Sequence, residues 1–108
     1  MTKIKNIVLA CNAGMSTSML VEKMKVAASE QNYEVEIYAI PQNDIEQELS
    51  VNAGDIGVIL LGPQVKFMLP KIKEICVPHA IEVDAIDMLD YGMMKGDVVF
   101  NRALEMLK

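Results

Sequence analysis

Cys11 ends a short apolar run, Ile7-Val8-Leu9-Ala10, and opens a loop of small and hydroxyl-bearing residues, Asn12-Ala13-Gly14-Met15-Ser16-Thr17-Ser18. A thiol in that setting can act as a nucleophile, and the loop behind it suits a tetrahedral anion. Gly14 permits close backbone approach, and Asn12 and Ala13 are small enough to leave backbone N–H groups open. Ser16, Thr17 and Ser18 offer hydroxyls and an N-cap for a following helix, whose first N–H groups have no helical partner and face an anion with a positive dipole end. Such a field favours thiolate over thiol. A thiolate made this way accepts a phosphoryl group, and the new anion rests on the donors that activated it. The same residues also fit a plainer role, with Cys11 as a small apolar residue buried at the end of a central strand.

The other reactive side chains are less suggestive. Cys76 lies in Lys73-Glu74-Ile75-Cys76-Val77-Pro78, at a helix end without such a loop, and is expected to be inert filling. With the two cysteines 65 positions apart, no CxxC and one histidine, no disulfide framework, dithiol motif or metal site is expected. His79 follows Pro78 in a turn and should be exposed. Asp84, Asp87 and Asp90 read as a strand-end carboxylate, a helix-start residue and a solvated residue rather than a metal cluster. No cofactor is implied.

The elements that must position Cys11 follow from hydropathy. Lys3–Ala10 and Asp55–Leu61 carry near-continuous apolar residues, as strands buried on both faces do. Glu34–Ile40 and Ala80–Ala85 alternate apolar and polar residues, which marks strands with one face partly wet. The first and third strands are therefore central, the second and fourth are edges, and the order is 2-1-3-4. Between them, Leu20, Met24, Ala27 and Ala28 recur at helical spacing. Gln42–Ser50 reads as an acidic helix. Val65–Ile75 reads as a third, with Phe67, Met68 and Ile72 for the core and Pro70 shortening or kinking its start. Met93–Lys108 reads as the last helix. The expectation is one α/β domain spanning 1–108, a doubly wound four-stranded parallel sheet with helices on both faces.

In such sheets ligands bind beyond the carboxyl ends of the strands, where the winding reverses. That point falls between the loop 11–18 and the turn Gly62-Pro63-Gln64 after the third strand, so position and composition agree on Cys11. Small thiol phosphatases place their cysteine in a similar loop with the spacing Cys-x5-Arg-Ser/Thr. Here Thr17 stands where the arginine would be, so no guanidinium is available to clamp phosphate and stabilise the transferring charge. No Asp-Pro pair supplies a general acid either. Such a thiol is better suited to pass a phosphoryl group on than to hydrolyse it.

Cys-Asn-Ala-Gly-Met-Ser-Thr-Ser (11–18) after an apolar strand, Leu-Leu-Gly-Pro-Gln-Val (60–65) after the third, and Asp90-Tyr91-Gly92 near the end together resemble the enzyme IIB component of the bacterial sugar phosphotransferase system, lactose/cellobiose (chitobiose) type. The resemblance covers essentially the whole chain and implies a flavodoxin-like, small-phosphatase-like fold. It implies a phosphocysteine at Cys11, loaded from a histidine phosphate of the IIA component and unloaded onto a sugar held by the membrane IIC component. By the same resemblance the backbone N–H groups of Asn12, Ala13, Gly14, Met15, Ser16, Thr17 and Ser18 cradle the phosphate, with the hydroxyls of Ser16, Thr17 and Ser18 as candidate helpers. Gly62, Pro63 and Gln64 form the rim. Asn12 stands where related sequences often carry serine. Met15, inside the loop, is a candidate adaptable contact for partner proteins.

Composition narrows the alternatives. Of the 108 residues 52% are hydrophobic and 23% charged, which predicts a packed core rather than disorder. The net charge of −5, without a basic block, argues against nucleic-acid binding. No apolar run approaches a membrane span, and Met1–Asn6 lacks the features of a signal peptide, so a cytoplasmic protein without direct membrane insertion is expected. Two competing readings are a thiol phosphatase or arsenate reductase, and a nucleotide- or flavin-binding module using the same crevice.

Overall fold

Asn6–Cys11 (β2) forms the centre of the sheet because every residue after Asn6 is buried, as an uninterrupted apolar run requires. In the computed structural model, which describes residues 1–12 and 14–107 with 14–16 as backbone only, β2 lies between Ile37–Pro41 (β4) and Ile56–Leu61 (β5). Glu82–Ala85 (β6) pairs with the far side of β5, giving the all-parallel order β4-β2-β5-β6. This is the expected 2-1-3-4, with the continuous runs inside and the alternating ones at the edges. Two short strands, Thr2–Lys3 (β1) and Tyr33–Glu34 (β3), form a separate parallel pair. They split two of the expected strands into a short outer piece and a longer inner one.

Helices cover both faces. Gly14–Glu30 (α1) and Gly96–Leu107 (α5) pack on one side, where Ile7, Leu9, Val58 and Leu60 meet Leu20, Met24, Val99 and Phe100. Ile45–Asn52 (α2) and Leu69–Cys76 (α3) cover the other, where Val8, Ala10, Ile59 and Leu61 meet Ile45, Leu49, Ile72 and Cys76. Odd and even positions of one strand thus feed two cores, which explains why β2 and β5 contain no polar residue beyond Asn6.

Helix ends follow local chemistry. After α1, Asn32 takes the left-handed conformation (φ 63°), which asparagine tolerates better than most non-glycine residues. Asp87 caps Met88–Gly92 (α4), its carboxylate accepting from the backbone N–H groups of Leu89 (3.0 Å) and Asp90 (3.2 Å). Three helix boundaries differ from expectation. The acidic helix starts with a 3-10 turn over Gln42–Asp44. The third begins at Leu69 with Pro70 in its first turn, after a 3-10 stretch, Pro63–Met68, kinked at Val65. That kink buries Val65 and turns Phe67, expected in the core, outward at 76% exposure. The last helix starts at Gly96 rather than Met93, because Met94 adopts φ 54° and the Lys95 N–H reaches back to the Asp90 carbonyl, closing the short preceding α4 before α5 begins.

Candidate functional site

The site grows from the end of β2. Cys11 is its last residue, paired in register with Pro41 at the end of β4, and the chain then turns through Asn12 into α1. Parallel pairing puts the ends of β4 and β5 on either side of Cys11, with the N-terminus of α1 directly after it. The Gly62 N–H donates to the Ala10 carbonyl at 2.8 Å, which folds the turn after β5 over the end of β2. A Cβ on Gly62 would stand 3.4 Å from the Cys11 Cβ and 2.9 Å from the Gln64 Oε1, so the rim turn lies against the thiol residue and only glycine fits without displacing a neighbour. Cys11 is buried, and Asn12 beside it is exposed.

Placement of the remaining expected residues is uneven. Ala13 and the side chains of Met15 and Ser16 lie outside the described residues, while the backbone of Gly14, Met15 and Ser16 forms the first turn of α1. Ser18 is exposed. Thr17 is fully buried, and its Oγ1 lies 2.9 Å from the Oη of Tyr91. Pro63 and Gln64 continue the 3-10 stretch that Gly62 introduces.

Two residues near the site were not singled out from sequence. Tyr91 was read only as part of a tail motif, although it joins α4 to α1 through Thr17. Gln42 directly follows Pro41, the register partner of Cys11, and its Oε1 is buried without a hydrogen-bond partner among the described residues. A polar residue one step beyond the strand that neighbours Cys11 was the available signal.

The residues set aside lie where their roles allow. His79 is exposed in the turn before β6, at the amino end of the sheet and so opposite Cys11. Cys76 is packed in the α2/α3 core, and burial pushes its thiol up to about 11. Asp84 accepts from Arg102 Nη2 at 2.8 Å and from the Ala85 N–H at 2.8 Å. Partial burial pushes its carboxyl up, but those two hydrogen bonds and the charges of Arg102 and Lys73 outweigh burial and hold it below the usual range. Among the described residues no cluster of histidine, cysteine and carboxylate side chains has metal-ligating geometry, and no helix is long and apolar enough to cross a membrane.

Comparison with known proteins agrees with this geometry. The family model for the lactose/cellobiose-specific IIB subunit of the phosphotransferase system matches residues 6–102. The galactose-specific EIIB component of Lactococcus lactis subsp. cremoris is 45% identical over 100 residues, 92% of this chain and 93% of the relative. The oligo-beta-mannoside-specific EIIB component of Bacillus subtilis is 36% identical over 104 residues, 96% of this chain and 97% of the relative. Among solved structures, the cellobiose-specific IIB component of Borrelia burgdorferi superposes with a TM-score of 0.73 at 35% identity, covering 95% of this chain and 91% of the other. The lactose-specific IIB domain of Streptococcus pneumoniae shares the fold alone, with a TM-score of 0.81 at 15% identity over 96% of this chain and 98% of the other. A thiol at the winding reversal, a glycine turn folded over it and full-length likeness to these proteins place the chain in the lactose/cellobiose-specific IIB family of the sugar phosphotransferase system, whose members are phosphotransferase components of sugar uptake.

Proposed function

We propose that Cys11 is the phosphoryl carrier of this IIB component. Its Sγ thiolate attacks the phosphorus of a histidine phosphate on the IIA partner. The P–S bond forms as the P–N bond breaks, and the departing imidazole nitrogen keeps the electron pair. In the second step a sugar hydroxyl held by the membrane IIC component attacks the same phosphorus, the P–S bond breaks, and the hydroxyl proton is released as the thiolate returns. Neither step needs an acid or base from this chain. Backbone N–H groups of residues 12–18 stabilise the transferring charge, and Gly62, Pro63 and Gln64 wall the site on its β5 side. The reading places the protein in the cytoplasm.

The observation that carries this reading is the position of Cys11. It ends the central strand, immediately before the unpaired N–H groups of α1 and beneath a glycine turn. Exposed apolar residues ring the same end of the sheet: Met19 in α1, Phe67 after β5, and Met88 and Leu89 after β6. They supply the surface that a carrier docking in turn with two proteins requires. Against hydrolysis, the residue in the arginine position of the phosphatase motif, Thr17, points its side chain into the core. Incubation with phosphorylated IIA should add one phosphoryl group to the intact mass of the protein and none to Cys11→Ser. A Cys11→Ser protein that still takes up the group would refute the carrier role, and turnover of p-nitrophenyl phosphate dependent on Cys11 would favour the phosphatase.

A further inference from the structure

We infer that Tyr91 is a positioning residue for phosphoryl transfer, acting through the Thr17 hydroxyl to hold the first turn of α1 in register with the thiol; the inference rests on the carrier reading. Thr17 is the one fully buried polar side chain in the core among the described residues. Its Oγ1 meets the Tyr91 Oη at 2.9 Å, and Tyr91 belongs to the buried apolar cluster that also holds Leu20, Val21, Val99 and Phe100. Among the described residues each hydroxyl has the other as its side-chain partner, so losing one leaves the other without that bond. A buried polar pair in a core costs more to misplace than apolar contact does, and therefore fixes geometry.

The pair closes a ring around the candidate site. The Gly62 N–H donates to the Ala10 carbonyl at 2.8 Å, joining the end of β5 to the end of β2. The Ile86 N–H donates to the Leu61 carbonyl at 2.8 Å, joining the exit of β6 to the end of β5. Asp87, next in the chain, caps α4 with its carboxylate, and its carbonyl accepts from the Tyr91 N–H at 2.9 Å. Tyr91 then reaches Thr17, and α1 leads back through the loop to Cys11. Every junction except Thr17–Tyr91 uses backbone or capping groups, so this junction is the one that a side chain alone decides.

A helix that begins at Gly14 leaves the N–H groups of residues 14–16 without an intrahelical partner, and they are among the donors assigned to the phosphoryl group. Thr17 is part of that turn. Removing the Tyr91 hydroxyl releases the turn on its far side while leaving the thiol and the strand ends untouched. Transfer depends on donors placed within tenths of an ångström of the developing charge, so the loss appears in the chemical step more than in partner binding.

The test uses the full chain with phosphorylated IIA as donor. For Tyr91→Phe the single-turnover rate of Cys11 phosphorylation at saturating donor should fall about tenfold, while the donor concentration giving half-maximal rate stays within about twofold of wild type. The 31P resonance of the phosphocysteine should move, because its donors have shifted. Thr17→Val should behave alike, Thr17→Ser should recover most of the rate, and Tyr91→Phe/Thr17→Val should be no slower than the slower single variant. Thermal melts keep a simple loss of folded protein apart from these effects. A Tyr91→Phe protein with wild-type rate and resonance overturns the inference, as does a double variant whose rate loss is the product of the two. If label also accumulates on Cys11→Ser, the carrier reading falls and the inference with it; label confined to Cys11 beside an unaffected Tyr91→Phe overturns the inference alone.

Discussion

Replacing Gly96 with alanine tests whether α1 is held as closely as the site requires. A Cβ on Gly96 would fall 2.5 Å from the Lys23 Cβ, 2.6 Å from the Lys23 carbonyl carbon and 2.8 Å from the Met24 nitrogen. Ordinary carbon–carbon contacts lie at about 3.5–4.0 Å, so the overlap is roughly 1 Å. Two of the three atoms are backbone and cannot swing aside. Relief requires α5 to move off α1, which opens the packing of Met24, Val99 and Phe100, all buried. Overpacking of this kind costs about 1–3 kcal/mol. Alanine recovers about 0.4–1 kcal/mol by restricting the unfolded chain. The net loss is then about 1–2 kcal/mol, and at about 4–8 °C per kcal/mol for a domain near this size the melting temperature should fall by roughly 5–15 °C. Gly92→Ala is the control, since nothing lies within 4 Å of its Cβ, and it should melt at or slightly above wild type. Calorimetric melts of both variants decide the matter. A Gly96→Ala protein as stable as Gly92→Ala would refute the close approach of the two helices.

Further outcomes follow from features away from the thiol. Phe67→Ala removes a ring that is 76% exposed, so the melting temperature should change little while the affinity for phosphorylated IIA, read by titration calorimetry, drops severalfold. Unchanged affinity would remove that ring from the docking surface. Tyr38 Oη donates to Glu48 Oε2 at 2.6 Å, and burial first, then that bond and the charges of Glu48, Glu36 and Asp55, push its phenol above the ordinary value of 10.0. Because the folded value is raised, the contribution to stability is full below about pH 10 and declines above it as the unfolded tyrosine ionises. Ultraviolet titration should therefore show a late phenol that is absent in Tyr38→Phe, and denaturant midpoints of the wild type should fall above pH 10 more steeply than those of the variant.

The sheet was legible because its signal is crude and strong. A central parallel strand is buried on both faces, so the apolar runs in Lys3–Ala10 and Asp55–Leu61 declared themselves, and the strand order followed from which runs alternate. The site's place followed from that order. Helix boundaries were harder, because they depend on single residues whose conformation is set by packing. Met94 holds a left-handed φ that glycine would hold more cheaply, so nothing in its residue type marks the start of the last helix at Gly96 rather than Met93. Phe67 carries the hydropathy of a core residue and is turned out by a kink at Val65 that no periodicity records. Tyr91 was visible only as motif, since a bond across 74 positions leaves no local pattern.

That separation gives the molecule a timetable. The thiol, its loop and α1 belong to the first third of the sequence, whereas the hydroxyl that meets Thr17 arrives after β6, with α4. A nascent or clipped chain that stops short of Tyr91 has a cysteine but no closed ring. A partial opening that released α4 from α1 would produce the same state. On the carrier reading, transfer at full rate therefore requires the completed fold, and not the cysteine loop alone.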